Sequence, residues 1–228
     1  MTEPDIPVAE ASDALDPFEV RVLAVLAEKE ALTPDNYPLS LNALTNGCNQ
    51  LSSRDPVMSI SEEAAQDVLQ RLIQKRLVSE VRQAGARVVK YEHRMRMKWS
   101  LEQDKLAVLT VLMLRGVQTA GEIRSRSGRL HDFPSVAGVE TALQFLIDKF
   151  PPLVARLART PGTKEARYAH LLAGEEFSEQ QEIAASSSSG VELSRQDRVT
   201  QLEAEVVSLR SEVERLSAQF EEFRKQFD

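Results

Sequence analysis

Val22-Leu-Ala-Val-Leu26 and Val108-Leu-Thr-Val-Leu112 are two copies of one apolar motif, and the copying extends through the regions that follow them. Later parts of the repeat pair Val68-Leu-Gln-Arg-Leu-Ile73 with Ala142-Leu-Gln-Phe-Leu-Ile147, and Tyr91-Glu-His93 with Tyr168-Ala-His170. An internal repeat of this kind indicates two copies of one structural unit. We therefore expect two domains of about 75 residues each within the 228-residue chain.

Helix signals in the first repeat predict three helices. Asp16-Pro17 combines an N-cap residue with a proline at the first helical position, and the apolar pattern that follows continues to about Lys29. Ser40 is placed to cap a short second helix. Ser59 or Ser61 is placed to cap the third helix, where Ser59 and Glu62 have capping-box spacing. The third helix carries an apolar stripe formed by Ala65, Val68, Leu69, Leu72 and Ile73.

A β-hairpin is predicted after the third helix of each repeat. In the first repeat, Leu77–Val81 and Val88–Tyr91 are rich in β-formers and are separated by a turn that contains Gly85. The glycine, the tyrosine and the histidine of one hairpin are each offset by the same interval from their counterparts in the other, which predicts hairpins that align without gaps. Three helices followed by a hairpin is the order of a winged helix-turn-helix. The sequence thus predicts a mainly α fold with small β-hairpin wings.

Composition divides the chain into two winged helix-turn-helix domains in tandem, with an extension at each end. We assign residues 1–15 to a disordered acidic N-terminus, 16–99 to the first winged-helix domain and 100–172 to the second. Residues 173–194 contain a run of four serines and are predicted to form a flexible linker. Residues 195–228 are predicted to form a C-terminal coiled-coil helix.

The coiled-coil prediction depends on apolar residues that alternate at spacings of three and four. Valine at the first core position and leucine at the second favour a parallel dimer, so the expected partner of this segment is a second copy of the chain. The phenylalanines at its end also suit a thicker bundle or a partner surface. The residues predicted to form the dimer are Val199, Leu202, Val206, Leu209, Val213, Leu216, Phe220 and Phe223.

Charge is distributed unevenly. The formal net charge is −7, but the two repeats together carry +5, so all of the excess acidity lies in the terminal extensions. The N-terminal residues include no lysine or arginine, and no apolar run approaches the roughly 20 residues that span a bilayer. The single cysteine, Cys48, cannot form an internal disulfide. We therefore expect a cytoplasmic protein without membrane contact.

Residues for contacting double-stranded DNA are expected on the third helix and the wing of each repeat. Glu62, Glu63 and Asp67 on the first repeat's third helix suit a helix N-terminus but would face phosphates in a DNA groove. The alternation in His93-Arg-Met-Arg-Met-Lys98 predicts an extended connector with its three cations on one face. The predicted nucleic-acid contacts are Arg54, Gln66, Gln70, Arg71, Arg82, Arg87, Lys90, Arg124, Arg126 and Arg129.

No catalytic residue, metal site or cofactor is predicted. His93 and His170 occupy equivalent repeat positions and are expected to pack at strand ends, and Cys48 is expected to be a buried structural thiol. His131 and Asp132 are too few to form a metal site. The preferred function is a non-enzymatic, regulator-like protein that binds double-stranded DNA. The alternative is a protein-interaction adaptor that uses the winged-helix surfaces and the coiled coil.

Several motifs go beyond general winged-helix patterning. They are Tyr37-Pro-Leu-Ser-Leu-Asn-Ala-Leu-Thr-Asn-Gly-Cys-Asn-Gln50, Arg54-Asp-Pro-Val57, Gly121-Glu-Ile-Arg124, Pro151-Pro-Leu-Val154, Arg159-Thr-Pro-Gly162 and Glu165-Ala-Arg-Tyr168. Together they resemble the YceH-like family of bacterial proteins over roughly residues 15–172. This resemblance implies a tandem winged-helix fold in a bacterial protein. It carries no activity, catalytic residue or ligand residue to this chain, and it leaves the coiled coil outside the matching region.

Overall fold

The computed structural model describes residues 14–82, 88–157 and 165–174. Across these ranges the chain is mainly helical, with seven α-helices, one short 3-10 helix at Pro34–Asn36 and two small antiparallel sheets. The helices are α1 Pro17–Leu32, α2 Leu41–Cys48, α3 Glu62–Gln74, α4 Met95–Trp99, α5 Gln103–Arg115, α6 Ala120–Ser127 and α7 Val136–Ile147. The strands are β1 Leu39–Ser40, β2 Val78–Val81, β3 Lys90–His93, β4 Gln118–Thr119, β5 Val154–Arg156 and β6 Arg167–His170. The predicted coiled coil, most of the predicted linker and residues 1–13 lie outside the described residues.

Side-chain caps fix where the helices begin. Asp16 and Glu19 form a capping box at α1, in which Asp16 Oδ1 accepts from the backbone of Glu19 at 2.8 Å. Ser40 caps α2 as predicted. Of the two serines proposed for α3, the structure uses Ser61, whose Oγ accepts from Ala64 N at 3.1 Å. Local sequence therefore sets these helix starts before any tertiary packing is considered.

Both predicted hairpins form, and each gains a third, two-residue strand. The strand orders are β1-β3-β2 and β4-β6-β5, so the last strand of each repeat is central. The prediction that the hairpins align without gaps is wrong by one residue. In the first hairpin Val78 pairs with His93, and an ungapped alignment makes Ala155 the counterpart of Val78. The structure instead pairs Val154 with His170. The equal spacing of the glycines, tyrosines and histidines does not detect this difference, because none of these residues lies in the first strand of either hairpin.

The connector after the first sheet is helical, so the predicted extended alternation is wrong. Met95–Trp99 forms α4, in which Met95 is fully buried and Met97 is 74 % exposed. A strand would place Met95, Met97 and Trp99 on one face, because side chains alternate with a period of two. The helix instead places Met95 and Trp99 together, one turn apart, and both pack against the core.

The two repeats share one hydrophobic core. Helices α1 and α5 pack against each other at its centre, and each has a long run of consecutive buried residues. Helices that are buried on all sides lie in the interior of a domain. A backbone hydrogen bond from Asp55 N to Leu114 O, at 2.9 Å, also joins the repeats. Leu15, the last residue of the predicted disordered N-terminus, is instead buried in the core and donates from its N to Leu172 O at 2.8 Å. The described residues therefore belong to one compact unit.

Candidate nucleic-acid interface

Helix α3 presents a polar and acidic face to solvent. Its apolar stripe is buried against α1 and α2, which leaves Glu62, Glu63, Asp67 and Gln70 exposed on the opposite side. Gln66 is half-buried, and its side-chain oxygen lies 3.3 Å from the Tyr91 hydroxyl that donates to it. Of the three α3 residues predicted to contact DNA, Gln70 is the one whose side chain is both exposed and uncommitted within the described residues.

Arg71 is tied to the start of α1. Its Nη2 donates to Asp16 Oδ2 at 2.6 Å and its Nε lies 3.3 Å from Glu19 Oε1, while 43 % of the side chain stays exposed. Lys75, one turn later, also pairs with Glu19, at 2.7 Å. The positive charges of α3 are thus balanced by carboxylates at the start of α1. This leaves the helix with an acidic exposed surface, which disfavours its insertion between phosphates.

Arg54 is buried, which corrects the prediction that it contacts nucleic acid. Its side chain has no solvent-exposed area, and its guanidinium donates to Glu28 Oε2 at 2.6 Å and Oε1 at 3.1 Å. It also donates to the backbone oxygen of Gly47 at 3.0 and 3.2 Å. A charge that is bidentately paired inside the protein is unavailable to a phosphate. Nothing in the neighbouring sequence indicates that this loop arginine turns inward.

Arg54 and Arg21 together anchor the loop between α2 and α3. Arg21, on α1, donates to the backbone oxygens of Cys48 at 3.3 Å and Pro56 at 2.6 Å, and burial lowers its pKa, with the nearby charge of Arg54 adding to that effect. Asn49 closes the loop through two hydrogen bonds of 2.8 Å to the backbone of Ile60. These arginines are consequently structural, and they fix a loop that the second repeat lacks.

The hairpin of the first repeat, which is its predicted wing, offers two described cations. Arg82 follows β2, and 74 % of its side chain is exposed, with Glu80 Oε2 at 3.1 Å. Lys90 is half-buried on β3 and lines a cavity of about 400 Å³ together with Lys29 and the start of α2. Arg87, the third predicted wing cation, lies outside the described residues. Arg82 and Lys90 are therefore the accessible cations of this hairpin among the described residues.

The second repeat displays its three predicted arginines around the end of α6. Arg124 is exposed and donates to the backbone oxygens of Phe133 and Pro134, both at 3.1 Å. Arg126 donates to Gln118 at 2.6 Å and Glu122 at 3.3 Å. Arg129 is exposed and makes no ion pair or hydrogen bond with any residue in the described ranges. All three are accessible, and they lie before α7 rather than on it.

Helix α7, the counterpart of α3, has no lysine or arginine in its sequence. Its exposed residues include Val136, Glu140 and Phe145, and 39 % of Phe145 is exposed. The ammonium groups of Lys105 and Lys149 lie 5.3 and 5.0 Å from the centre of the Phe145 ring, a cation–π arrangement. The surface of α7 is thus apolar and acidic at its centre, with cations at its margin.

Burial holds two titratable groups of the interior in their neutral forms. It raises the pKa of Cys48 to about 12 and lowers the pKa of His170 to about 4. Cys48 is a buried thiol as predicted, and His93 and His170 are buried at the ends of their strands as predicted. Within the described ranges, no group of three or more His, Cys, Asp or Glu side chains is arranged to hold a metal ion.

A groove at the base of the first hairpin was not predicted from the sequence. It has a volume of about 440 Å³ and is lined by side chains from the end of α3, the start of β2 and α4. Three of its lining residues are cations, namely Arg76, Arg94 and Lys98. Arg76 is distant in sequence from the other two. Their convergence depends on how α4 packs beside the end of α3, which no local sequence pattern reports.

Comparison with known proteins assigns the family. Residues 15–163 match the family described as "Protein of unknown function, DUF480". The chain belongs to this family. A relative named "UPF0502 protein" is 70 % identical over 93 % of this chain and 91 % of its own length, and its source is Janthinobacterium sp. (strain Marseille). A second relative, from Herminiimonas arsenicoxydans, is 68 % identical over 93 % of this chain and 90 % of its own length. A third is 52 % identical over 96 % of each chain, and its source is Azoarcus sp. (strain BH72). Membership in DUF480 is consistent with the YceH-like resemblance seen in the sequence.

The described helices of this DUF480 protein give no sign of a membrane span. None of them is long and apolar enough to cross a bilayer.

Proposed function

We propose that each repeat is a winged helix and that the protein binds double-stranded DNA in the cytoplasm without catalysing a reaction. The observation that carries this proposal is the twice-repeated order of helix, strand, helix, helix, strand, strand, in which the first short strand pairs with the last. This order places a helix-turn-helix pair, α2 and α3 or α6 and α7, beside a hairpin. Helix-turn-helix proteins use that combination to approach the major groove and the flanking backbone.

Contacts to the sugar–phosphate backbone account for binding better than contacts to bases. Three exposed carboxylates on α3 and the lack of any cation on α7 disfavour reading of base edges by either helix. Arg82 and Lys90 on the first wing are available to phosphates, with Arg87 as the predicted third contact. Arg124, Arg126 and Arg129 supply the corresponding charges from the second repeat. Binding of this kind depends strongly on salt and weakly on sequence.

Fluorescence anisotropy with a labelled duplex of random sequence tests the proposal on the full chain. We expect binding at low salt that weakens as salt is raised, with a linear dependence of log Kd on log salt. The double variant R82A/K90A is expected to lower the slope of that line by about 2, since each lost phosphate contact lowers it by about 1. R76A/K98A removes the same charge from outside the wing and is the matched control. Absence of binding at low salt, or equal losses in both variants, would overturn the proposal.

The alternative role as a protein-interaction adaptor is favoured by the surface of α7. Val136 and Phe145 are exposed there at 37 % and 39 %, around the acidic Glu140. Exposed aromatic residues are enriched at protein interfaces. The adaptor role predicts that F145D abolishes co-purification of a stoichiometric partner that survives nuclease treatment. Retention of that partner by F145D would exclude α7 as its docking surface.

Self-association through the C-terminal heptads completes the proposal. Valine and leucine at the core positions of 199–216 favour a parallel homodimer. Removal of the chain after Leu172 is expected to convert a dimer to a monomer, as measured by light scattering. A truncated protein that still has the mass of two chains would instead place the dimer contact within the two repeats.

A further inference from the structure

We propose that the groove at the base of the first hairpin is a second binding site, which takes an acidic peptide segment of a partner protein with one apolar side chain. The groove is lined by the cations Arg76, Arg94 and Lys98 and by the apolar residues Ile73, Val78 and Met97. This site is separate from the DNA surface proposed above. It lies where β2 begins and β3 ends, whereas Arg82 and Lys90 lie at the opposite ends of the same strands.

Two of the three groove cations have no carboxylate partner among the described residues, and the third has a distant one. Arg76 and Lys98 make no ion pair with any described residue, and Glu92 Oε1 lies 4.0 Å from Arg94 Nε. The same Glu92 oxygen accepts from the Ser79 hydroxyl at 2.9 Å, so one carboxylate lies near three groove cations. By contrast, the neighbouring cation Arg96 is paired with Glu30 at 2.9 Å. The groove therefore carries an excess of positive charge that complements an acidic ligand.

Apart from Ser79, the rest of the groove wall is formed by apolar side chains. Met97 is 74 % exposed, whereas Met95 on the same helix is fully buried. Methionine is flexible and polarisable and is common at surfaces that bind varied peptides. Arg94 Nη1 lies 3.3 Å from Met97 Sδ, which holds the cation beside the apolar wall. A volume of about 440 Å³ accommodates an apolar side chain with flanking carboxylates, whereas a phosphate backbone would leave Met97 and Ile73 without a partner.

The backbone of Arg76 supports a binding role. Arg76 N donates to Ile73 O and Leu77 N donates to Leu72 O, both at 2.9 Å, which is the Schellman ending of a helix. Its φ is +57°, a left-handed conformation that glycine adopts without strain and arginine does not. Non-glycine residues held in this region are concentrated at functional sites such as ligand clamps. An arginine at this position lowers stability and places its guanidinium in the groove.

The second repeat lacks the site, which makes it an internal reference. Leu171 N bonds to Leu153 O at 2.9 Å just as Arg94 N bonds to Leu77 O at 2.7 Å, so leucine replaces arginine at the equivalent position. After the end of α7, the position equivalent to Arg76 is occupied by Phe150, which is followed by two prolines. The charged groove is thus a property of one repeat and not of the fold.

Peptide binding to the full chain tests the proposal. The probe is a fluorescein-labelled hexapeptide of aspartate and glutamate around one phenylalanine, measured by anisotropy, with a second peptide in which serine replaces the phenylalanine. We expect the phenylalanine peptide to bind more tightly than the serine peptide. R76G is expected to weaken binding by up to about fivefold, while R82A, which removes the same charge from the wing, leaves it unchanged. M97S is expected to abolish the difference between the two peptides.

A thermal melt separates loss of the site from loss of the fold. Because glycine is unstrained at φ +57°, R76G is expected to unfold at the same temperature as the parent or about 2–4 °C higher. Weakened peptide binding in this more stable variant supports the groove. Equal weakening by R76G and R82A, an unchanged affinity in R76G, or a peptide that binds without preference for phenylalanine overturns the proposal. If duplex DNA competes with the labelled peptide, and if R76G relieves that competition, the groove binds nucleic acid instead.

Discussion

The two repeats share a backbone but place their arginines differently. The first repeat turns Arg21 and Arg54 inward to anchor the loop between α2 and α3. The second repeat has a much shorter connection between α6 and α7 and keeps Arg124, Arg126 and Arg129 at the surface. The duplicated scaffold therefore keeps the sheet and the apolar core, while the role of a basic residue depends on whether a loop needs an anchor.

Removal of Arg54 is expected to have the largest effect on stability. R54A leaves the carboxylate of Glu28 without its bidentate partner, and breaking a buried pair by removing one partner typically costs about 3–5 kcal/mol. We expect the free energy of unfolding, measured in urea, to be lower by that amount, or the variant protein to be insoluble. R129A in the second repeat is the matched control, since exposed substitutions usually stay within about 0.5 kcal/mol. Equal stability of the two variants would contradict the contrast between the repeats.

Local signals predicted the scaffold, and tertiary contacts decided the rest. Ser40 and the two hairpins were predicted because capping and β-rich patterns act over a few residues. Whether Arg54 is buried depends on Glu28, which is distant in sequence and lies on α1, and no local pattern reports that pairing. Similarly, α4 forms because Met95 and Trp99 both pack against the core. The same segment also alternates between basic and apolar residues, as a strand would. The charged groove followed from that helix and was missed with it.

Core truncation in either repeat tests whether they unfold together. Leu23 on α1 and Leu109 on α5 are both fully buried in the shared core. L23A and L109A are each expected to cost about 2–5 kcal/mol. Because the core is continuous, each variant should shift one common transition when unfolding is followed by tryptophan fluorescence and by circular dichroism. Two separate transitions, with L23A moving one and L109A the other, would show that the repeats fold independently.

Acid is expected to affect the second repeat first, through His170. Burial lowers the pKa of His170 from 6.5 to about 4, so the unfolded chain binds a proton more readily than the folded chain. The stability contributed by the neutral ring is fully present above pH 6.5 and is lost as the pH falls from 6.5 to 4. Urea midpoints measured at several pH values should show this loss in the parent protein. H170Q should flatten the curve in that window, whatever its effect at neutral pH.

The first repeat responds to acid at a lower pH, through Glu30. Hydrogen bonding from His93, whose Nε2 lies 3.2 Å from Glu30 Oε2, and the neighbouring Arg96 lower the pKa of this carboxyl from 4.5 to about 2. Its contribution is present above pH 4.5 and is lost as the pH falls from 4.5 to 2. E30Q should therefore flatten the stability curve below pH 4.5. A curve that keeps the parent's slope below pH 4.5 in E30Q would contradict this assignment.

The smallest expected difference between the repeats lies in two equivalent helix caps. At α6, Thr119 and Glu122 form a complete capping box, in which Glu122 Oε2 accepts from Thr119 N at 2.9 Å. At α2, Ser40 caps the helix in one direction, and the third helical position is Ala43, which is exposed. Completing the box with A43E is expected to stabilise the protein by about 0.5–1 kcal/mol, and E122A should destabilise it by a similar amount.

The same substitution links stability to the proposed DNA surface. Ala43 lines the cavity that also contains Lys29 and Lys90, so A43E places a carboxylate beside a cation assigned to phosphate binding. We expect A43E to raise the unfolding midpoint and to weaken duplex binding, whereas E122A should do neither. If A43E stabilises the protein but leaves DNA affinity unchanged, Lys90 does not contact phosphate and the first wing acts through its other cations.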